Sequence, residues 1–162
     1  MDENLRTFLQ HHSNIKYSLF LKKLKQSIYT HIAQLNAFVH KSTEPLCFED
    51  MKNERFDNIK IGDSWGGFFD CAWFKFTADI ENMQKNLVAV IDVGGEGCIY
   101  NKNGEVIQGI TNVLGMVDNF QTVKGKAIIP LDRIDTFNDG KVLFYADCGN
   151  NGKGGKSSGQ AR

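Results

Sequence analysis

The chain has 162 residues, with 19 basic and 19 acidic side chains, 16 glycines, 2 prolines and 41% hydrophobic residues. This length and hydrophobic content fit one globular domain with a short appendage, and they argue against two full domains. The formal net charge of zero gives no general attraction to nucleic acid or anionic lipid, because both require a surplus of basic side chains. We therefore expect no nucleic-acid partner.

The sequence also predicts a cytoplasmic protein with no membrane partner. Apolar residues near the start are separated by charged and amide side chains, so no secretory signal is expected. Nowhere do apolar residues continue for the ~20 positions that span a bilayer. Four cysteines, at positions 47, 71, 98 and 148, form no CxxC pair, and we expect them to be reduced.

An amphipathic pattern predicts one long helix over residues 15–39. Apolar residues recur there at three- and four-residue intervals, and lysine and glutamine fill most of the gaps. Ser13 or Asn14 is the expected N-cap, a shorter helix is expected to precede it, and Pro45 ensures that the helical region has ended. Residues 1–45 are thus predicted to form a helical leader.

After Pro45 glycine becomes frequent, β-branched and aromatic residues concentrate, and the apolar period falls towards two. Strands are predicted at 68–80, 87–93, 98–100, 105–108, 117–122, 126–130 and 141–148. The 87–93 segment is apolar on both sides except at Asp92, which is typical of a central strand. Asn103-Gly104 is the strongest hairpin signal in the chain.

The predicted fold class is mainly β with an N-terminal helical arm. No helical stretch separates the predicted strands, so the pattern favours an antiparallel β-sandwich over residues 46–150 rather than a parallel α/β sheet. Residues 151–162 are rich in glycine, serine and lysine and cannot bury apolar area. We expect them to be a flexible tail or the start of a linker to a missing domain.

Two glycine-rich segments have part of the pattern of nucleotide-binding loops but the wrong spacing. A phosphate loop at Gly155-Lys156-Ser157 would need glycine where Asn150 stands, and a dinucleotide fingerprint from Gly95 would need glycine at Tyr100. A flexible segment explains the first set of glycines better, and a tight turn that requires unusual backbone angles explains the second. Glu96, the carboxylate among them, is left as a candidate to cap amides, pair with arginine or bind ligand hydroxyls.

We predict no catalytic residues, no metal ligands and no cofactor within the chain. All four histidines fall in or beside the helical leader, whereas the cysteines are scattered through the β region, so no set has metal-ligand spacing. No histidine in the β region can act as a base for Ser64 or Cys71, so no nucleophile of that kind is predicted.

The aromatic residues between positions 65 and 76 are expected to supply mostly core, since each ring removes a large area from water. Trp65 precedes the strand in a glycine-rich stretch and is the member expected to have a surface or interface role. Trp65, Glu96 and Asn112 are therefore the candidate ligand or interface residues.

Several segments in order carry a family resemblance: Trp65-Gly66, Ala72-Trp73-Phe74-Lys75-Phe76, the Val90 to Tyr100 segment with its Gly94-Gly95-Glu96-Gly97 turn, and the Asn103 to Ile110 segment. Together they resemble the N-terminal region of family 38 glycoside hydrolases, the α-mannosidases of cytosolic and vacuolar type. The resemblance covers roughly residues 15–152. Its most specific part is the Gly-Gly-Glu-Gly turn followed by Gly-x-x-x-Gln-Gly.

In that family a helical leader precedes a galactose-binding-like jelly roll, which precedes a catalytic barrel. The resemblance implies a retaining exo-α-mannosidase whose Zn²⁺, held by Asp and His, and whose Asp nucleophile all belong to the barrel. No residue of this chain matches those motifs, so none is transferred. The chain is then expected to be a non-catalytic N-terminal module that packs against its own catalytic barrel or another subunit of a homo-oligomer.

Two other classes of function stay open. A carbohydrate-binding module would use Trp65, Glu96 and Asn112 to contact mannosides, because sandwiches of this kind often bind sugars although a fold alone carries no function. A stand-alone protein-interaction domain would use the amphipathic helix as an adaptor.

Overall fold

The chain begins with a long helix and continues as a series of short strands, with one short helix between the first two strands. A computed structural model describes residues 3–81, 86–111, 128–134, 140–150 and 159–160. The elements are α1 (Glu3–Ser27), β1 (Asn36–Ser42), α2 (Phe48–Met51), β2 (Asp57–Ile59), β3 (Ser64–Gly66), β4 (Cys71–Asp79), β5 (Val88–Val90), β6 (Glu96–Tyr100), β7 (Val106–Thr111), β8 (Ile128–Pro130), a 3₁₀ turn (Leu131–Arg133), β9 (Lys141–Gly149) and β10 (Gly159–Gln160). Contacts divide the chain into two units, Met1–Ile32 and Ala33–Arg162.

The first unit contains α1, which differs from the predicted helices at both ends. It begins at Glu3 and runs without interruption through Ser13 and Asn14, so the prediction of a cap there is wrong. Serine and asparagine inside a helix cost well under ~1 kcal/mol each, which a continuous helix tolerates. No described helix is both long and apolar enough to span a bilayer.

The predicted helix over residues 15–39 is wrong beyond Ser27, because its last part forms β1. Ala37 and Val39 point into the core of the second unit, and Phe38 between them lies on the opposite face of the sheet. The apolar residues at the end of the segment fit both a helical and an alternating spacing, and pairing with β4 decides between them. The helical leader therefore ends before β1 and not at residue 45.

The second unit is a β-sandwich, which confirms the predicted fold class. Its main layer is a six-stranded sheet in the order β2-β1-β4-β9-β6-β7, and all its described pairs are antiparallel. Two smaller sheets, β10-β3 and β5-β8, are also antiparallel. β10 pairs with β3, so residues 159–160 are part of a sheet.

The core lies on one face of the six-stranded sheet. Alternate residues of the two central strands are buried there: Ala72, Phe74, Phe76 and Ala78 from β4, and Val142, Phe144, Ala146 and Cys148 from β9. Trp65 of β3, Ala89 of β5 and Ile129 of β8 belong to the same hydrophobic cluster. The small sheets thus provide the second layer of the sandwich.

The predicted central strand over residues 87–93 is wrong, and only β5 forms there. Described pairing joins β5 to β8 alone. Ala89, Ile91 and Val93 enter the core, whereas Val90 is exposed. In this segment, the apolar residues on both sides belong to a strand of a small sheet with one buried face and one exposed face.

The predicted hairpin at Asn103-Gly104 is confirmed as the turn between β6 and β7. Gly104 has a φ of +87°, a conformation that favours glycine. Asn101, which is buried, organises the turn: its Oδ1 accepts hydrogen bonds from the backbone N–H groups of Asn103 and Glu105, at 2.9 and 3.0 Å. Of the remaining predicted strands, 141–148 and the end of 126–130 are confirmed, and 117–122 lies outside the described residues.

We predict that Gly97→Ala destabilises the sandwich by about 1–3 kcal/mol, because the strand is already in close contact with its neighbour. A Cβ atom on Gly97 would collide with the backbone oxygen of Asp147 and lie 2.8 Å from Sγ of Cys148. Urea unfolding measures the effect. Gly109→Ala in the adjacent strand is the control, since its nearest neighbour would be 3.8 Å away and the expected change is within about 0.5 kcal/mol. Equal stability of the two variants would contradict the close approach.

Candidate functional site

The three residues selected from the sequence do not form one site among the described residues. Trp65 is 1% exposed, and its Nε1–H donates a hydrogen bond of 2.6 Å to the backbone oxygen of Val93. Its ring also packs edge-on against Phe74, with 5.5 Å between ring centroids. The prediction of a surface or interface role for Trp65 is therefore wrong, because both its apolar and its polar parts are satisfied inside the core.

Glu96 lies at the start of β6 and is half-buried. Its Oε1 accepts a hydrogen bond of 3.2 Å from Oγ1 of Thr111, which lies opposite it on β7. Asn112 follows Thr111 in sequence but lies outside the described residues. The carboxylate of Glu96 thus bridges two neighbouring strands, and its role as a ligand contact stays a prediction.

The outer face of the six-stranded sheet, opposite the core, is partly covered by an aromatic cluster. Phe48 of α2 stacks on Tyr100 with 5.9 Å between centroids and meets Trp73 and Tyr145 edge-on at 5.9 and 5.6 Å. The indole N–H of Trp73 donates a 3.0 Å hydrogen bond to the backbone oxygen of Leu46. The segment before and within α2 therefore covers one part of this face.

Asp147 lies on the same outer face, directly between Trp73 of β4 and Cys98 of β6. It is half-buried, and burial raises the pKa of its carboxyl group. In the part of the chain that the structure describes, no hydrogen bond or ion pair reaches this carboxylate. An ionised carboxylate at this position is thus incompletely solvated, and no partner among the described residues compensates for it.

The groups around Asp147 are not activated for nucleophilic chemistry. Burial, followed by the charge of Asp147, raises the pKa of the Cys71 thiol and of the Tyr100 hydroxyl. Burial also raises the pKa of Cys148 well above its ordinary value. Because a thiol reacts as the thiolate, Cys71 and Cys148 are poor nucleophiles near neutral pH. This face is suited to accepting hydrogen bonds from another group and not to covalent catalysis.

A groove in the second unit is a separate candidate binding site. It has a volume of about 540 Å³, within the range of small-ligand sites. Phe74 and Phe76 contribute to its lining, along with Gln34, Asn36 and Asn58 and the charged residues Lys60 and Asp92. Amide and charged residues can donate and accept hydrogen bonds, so the lining can bind a polar, hydroxyl-rich molecule.

Sequence reasoning missed both Asp147 and the groove amides. Asp147 carried no clear signal, because a charged residue that alternates with core residues is ordinary on the outer face of a strand. Asn36 and Asn58 carried none, since amides are ordinary on the outer face of a strand. Nor do any three His, Cys, Asp or Glu side chains within the described ranges converge as a metal site.

A family model described as "Alpha-mannosidase, jelly roll domain" (Ams1-like) matches residues 31–161. The chain belongs to this α-mannosidase jelly-roll family. The matched region begins before β1 and extends through β10, so the α-mannosidase jelly-roll domain corresponds to the second unit. This confirms the family resemblance noted in the sequence. A search of curated proteins found no match.

We predict that Asp147→Asn stabilises the α-mannosidase jelly-roll domain at pH 7. The pKa of Asp147 is higher in the folded chain than its ordinary value of 3.8, so ionisation favours unfolding. This cost is complete above the folded-state pKa and disappears below the unfolded-state value. The stabilisation by Asp147→Asn should therefore shrink as the pH falls from the folded-state pKa to the unfolded-state pKa, and it should be absent at about pH 3.

Thermal unfolding midpoints at the two pH values measure this effect. Asp132→Asn is the matched control, because Asp132 is exposed and its replacement should change the midpoint little at either pH. A lower midpoint for Asp147→Asn at pH 7 would show that the carboxylate has a stabilising partner.

Proposed function

We propose that this chain is a non-catalytic N-terminal module of a zinc-dependent, retaining α-mannosidase that hydrolyses terminal α-linked mannose. Its role would be to support the catalytic barrel and to form an interface with it. The observation that carries this proposal is the match of the whole β unit to an α-mannosidase jelly-roll domain. The four cysteines carry free thiols, as expected in a reducing compartment, and we place the module in the cytoplasm.

The outer face around Asp147 supports an interface role. A half-buried carboxylate with no partner among the described residues costs stability, and an N–H donor or a cation from another surface would offset that cost. Glu96 and Cys98 lie on the neighbouring strand of the same face. A second surface that covers this face, from the barrel or from another subunit of a homo-oligomer, could supply such a donor.

The residues described do not fit a zinc site, since no three suitable donors converge among them. The zinc ion and the nucleophile of the proposed enzyme would therefore belong to its barrel. The jelly-roll domain would contribute position and stability, and no step of hydrolysis is assigned to its residues.

We expect the purified 162-residue chain not to hydrolyse an aryl α-mannoside, with or without added zinc. An assay of aryl release on the pure chain checks this. Chelator-sensitive hydrolysis by this chain would contradict the non-catalytic role. Reading the coding sequence past Arg162 is the complementary test, and a glycosidase domain there is the expected result.

The groove favours a second candidate function, that of a carbohydrate-binding module. A mannoside has hydroxyl groups that match the amides of Asn36 and Asn58, and C–H faces that match the apolar part of the lining. Trp65 is not a contact in this version, because it is buried in the core. Cavity size and chemistry support this function, and the family match does not distinguish it from a purely structural role.

If the domain is a sugar-binding module, titration calorimetry with mannose, mannobiose and galactose should detect binding at millimolar concentrations. Asn58→Ala should then weaken binding, because it removes a donor and an acceptor from the groove. Asn53→Ala is the control, since Asn53 is an exposed amide outside the groove. Absence of binding by the unmodified chain would eliminate this candidate.

A further inference from the structure

Two adjacent phenylalanines are exposed in residues 67–70, the turn that connects β3 to β4. Phe68 is 55% exposed and Phe69 is 72% exposed. Their rings touch each other, with 4.0 Å between centroids and 54° between planes. We call residues 67–70 the aromatic turn. It exposes a large apolar surface to water. Burial of these rings against another surface would be strongly favourable.

The backbone of the aromatic turn is unfavourable for the residue that occupies it. Phe69 has a φ of +68°, and only Asn86 shares a positive φ among the described non-glycine residues. Asparagine tolerates this region well, whereas a bulky aromatic residue there is a genuine outlier. Glycine would relieve the strain. Such conformations persist only where the surrounding structure enforces them, and they concentrate at functional positions.

The surrounding structure enforces the turn through Asn150, the residue that follows β9. Asn150 is 2% exposed, and its Nδ2–H₂ donates to the backbone oxygen of Gly67 at 2.8 Å. Its backbone oxygen accepts from the N–H of Phe69 at 2.8 Å, and its own N–H donates to the oxygen of Asp70 at 3.0 Å. Inside the turn, Oδ2 of Asp70 accepts from the N–H of Gly67 at 2.7 Å. The turn is therefore fixed to the central sheet at several points.

The chemistry of the turn favours a protein partner over a sugar. The two rings are tilted and do not form a flat platform, and the side chains of Asp70 and Asn150 already have hydrogen-bond partners within the turn. Rigid aromatic residues lose little conformational entropy on docking, which is why such residues dominate the energetics of interfaces. An apolar pocket that accepts both rings is the complementary surface.

We propose that Phe68 and Phe69 anchor this domain to the catalytic portion of its α-mannosidase. This inference rests on the proposed function. Its choice of partner is supported by β10, because Gly159 pairs with Gly66 and so lies directly beside the aromatic turn. Gln160 then pairs with Ser64, so the chain runs from the aromatic turn back along β3. In an α-mannosidase polypeptide that continues past residue 162, the following segment starts a few residues from these rings, and the domain to which it leads is within their reach.

The test compares Phe69→Gly in the isolated chain and in the full-length α-mannosidase. In the isolated chain the thermal midpoint should stay the same or rise, because glycine accepts the positive φ. In the full-length enzyme the temperature of half-inactivation of mannosidase activity should fall, because an anchor is lost. Val106→Ala, at a residue of β7 that is 60% exposed and lies outside the groove, is the control for removal of an exposed apolar side chain and should leave half-inactivation unchanged.

A parallel loss of stability in the isolated chain would assign Phe69 a structural role and overturn the proposal. No change in the full-length enzyme would also overturn it. So would sugar binding by the isolated chain that Phe69→Gly abolishes. If the full-length protein has no mannosidase activity, the proposed function fails and the inference fails with it, whereas an active enzyme that is insensitive to Phe69→Gly removes only the inference.

The contact itself can be mapped with p-benzoylphenylalanine in place of Phe68 in the full-length enzyme. The expected photo-crosslink joins position 68 to a peptide from the catalytic portion. The same group at position 106, on β7, is the control and should not give that crosslink. A crosslink from position 68 only to a second copy of the jelly-roll domain, or no crosslink, would overturn the proposal.

Discussion

The antiparallel pairing of β4 with β9 is the interaction on which the rest of this structure depends. It joins nine residues of each strand, from Cys71 opposite Gly149 to Asp79 opposite Lys141. β1 adds to the free side of β4 and β6 adds to the free side of β9, so both halves of the sheet are built outward from this pair. Its core face carries the phenylalanines that the second layer covers, and its outer face carries Asp147.

The pair also determines where the candidate interfaces lie. Asp147 has β-sheet neighbours on both sides, which is why its carboxylate is poorly hydrated although it lies on the outer face. At the end of the pair the chain leaves β9 at Asn150, whose backbone and amide hold the aromatic turn. Two unfavourable features, a half-buried carboxylate and a strained aromatic residue, are therefore maintained by the most extensive part of the fold.

The local sequence pattern was sufficient to predict strands in which core and outer residues alternate strictly, and turns whose residues strongly favour one turn type. It therefore predicted β4, β9 and the hairpin at Gly104. It failed where two periods fit the same apolar residues, as in β1, and where the deciding contact is distant in sequence. The hydrogen bond that buries Trp65 reaches Val93, and the one that fixes Phe69 comes from Asn150. No local feature of the sequence predicts that Val93 or Asn150 is the hydrogen-bond partner.

The position of β9 between β4 and β6 has a consequence for biosynthesis. β9 comes after nearly all the other strands in the chain but occupies the middle of the sheet. Until it leaves the ribosome, β4 and β6 each present an unpaired backbone edge of the kind that promotes aggregation. The main sheet therefore cannot be completed until β9 has been synthesised. Chaperones that shield unpaired strand edges would contribute most before that point.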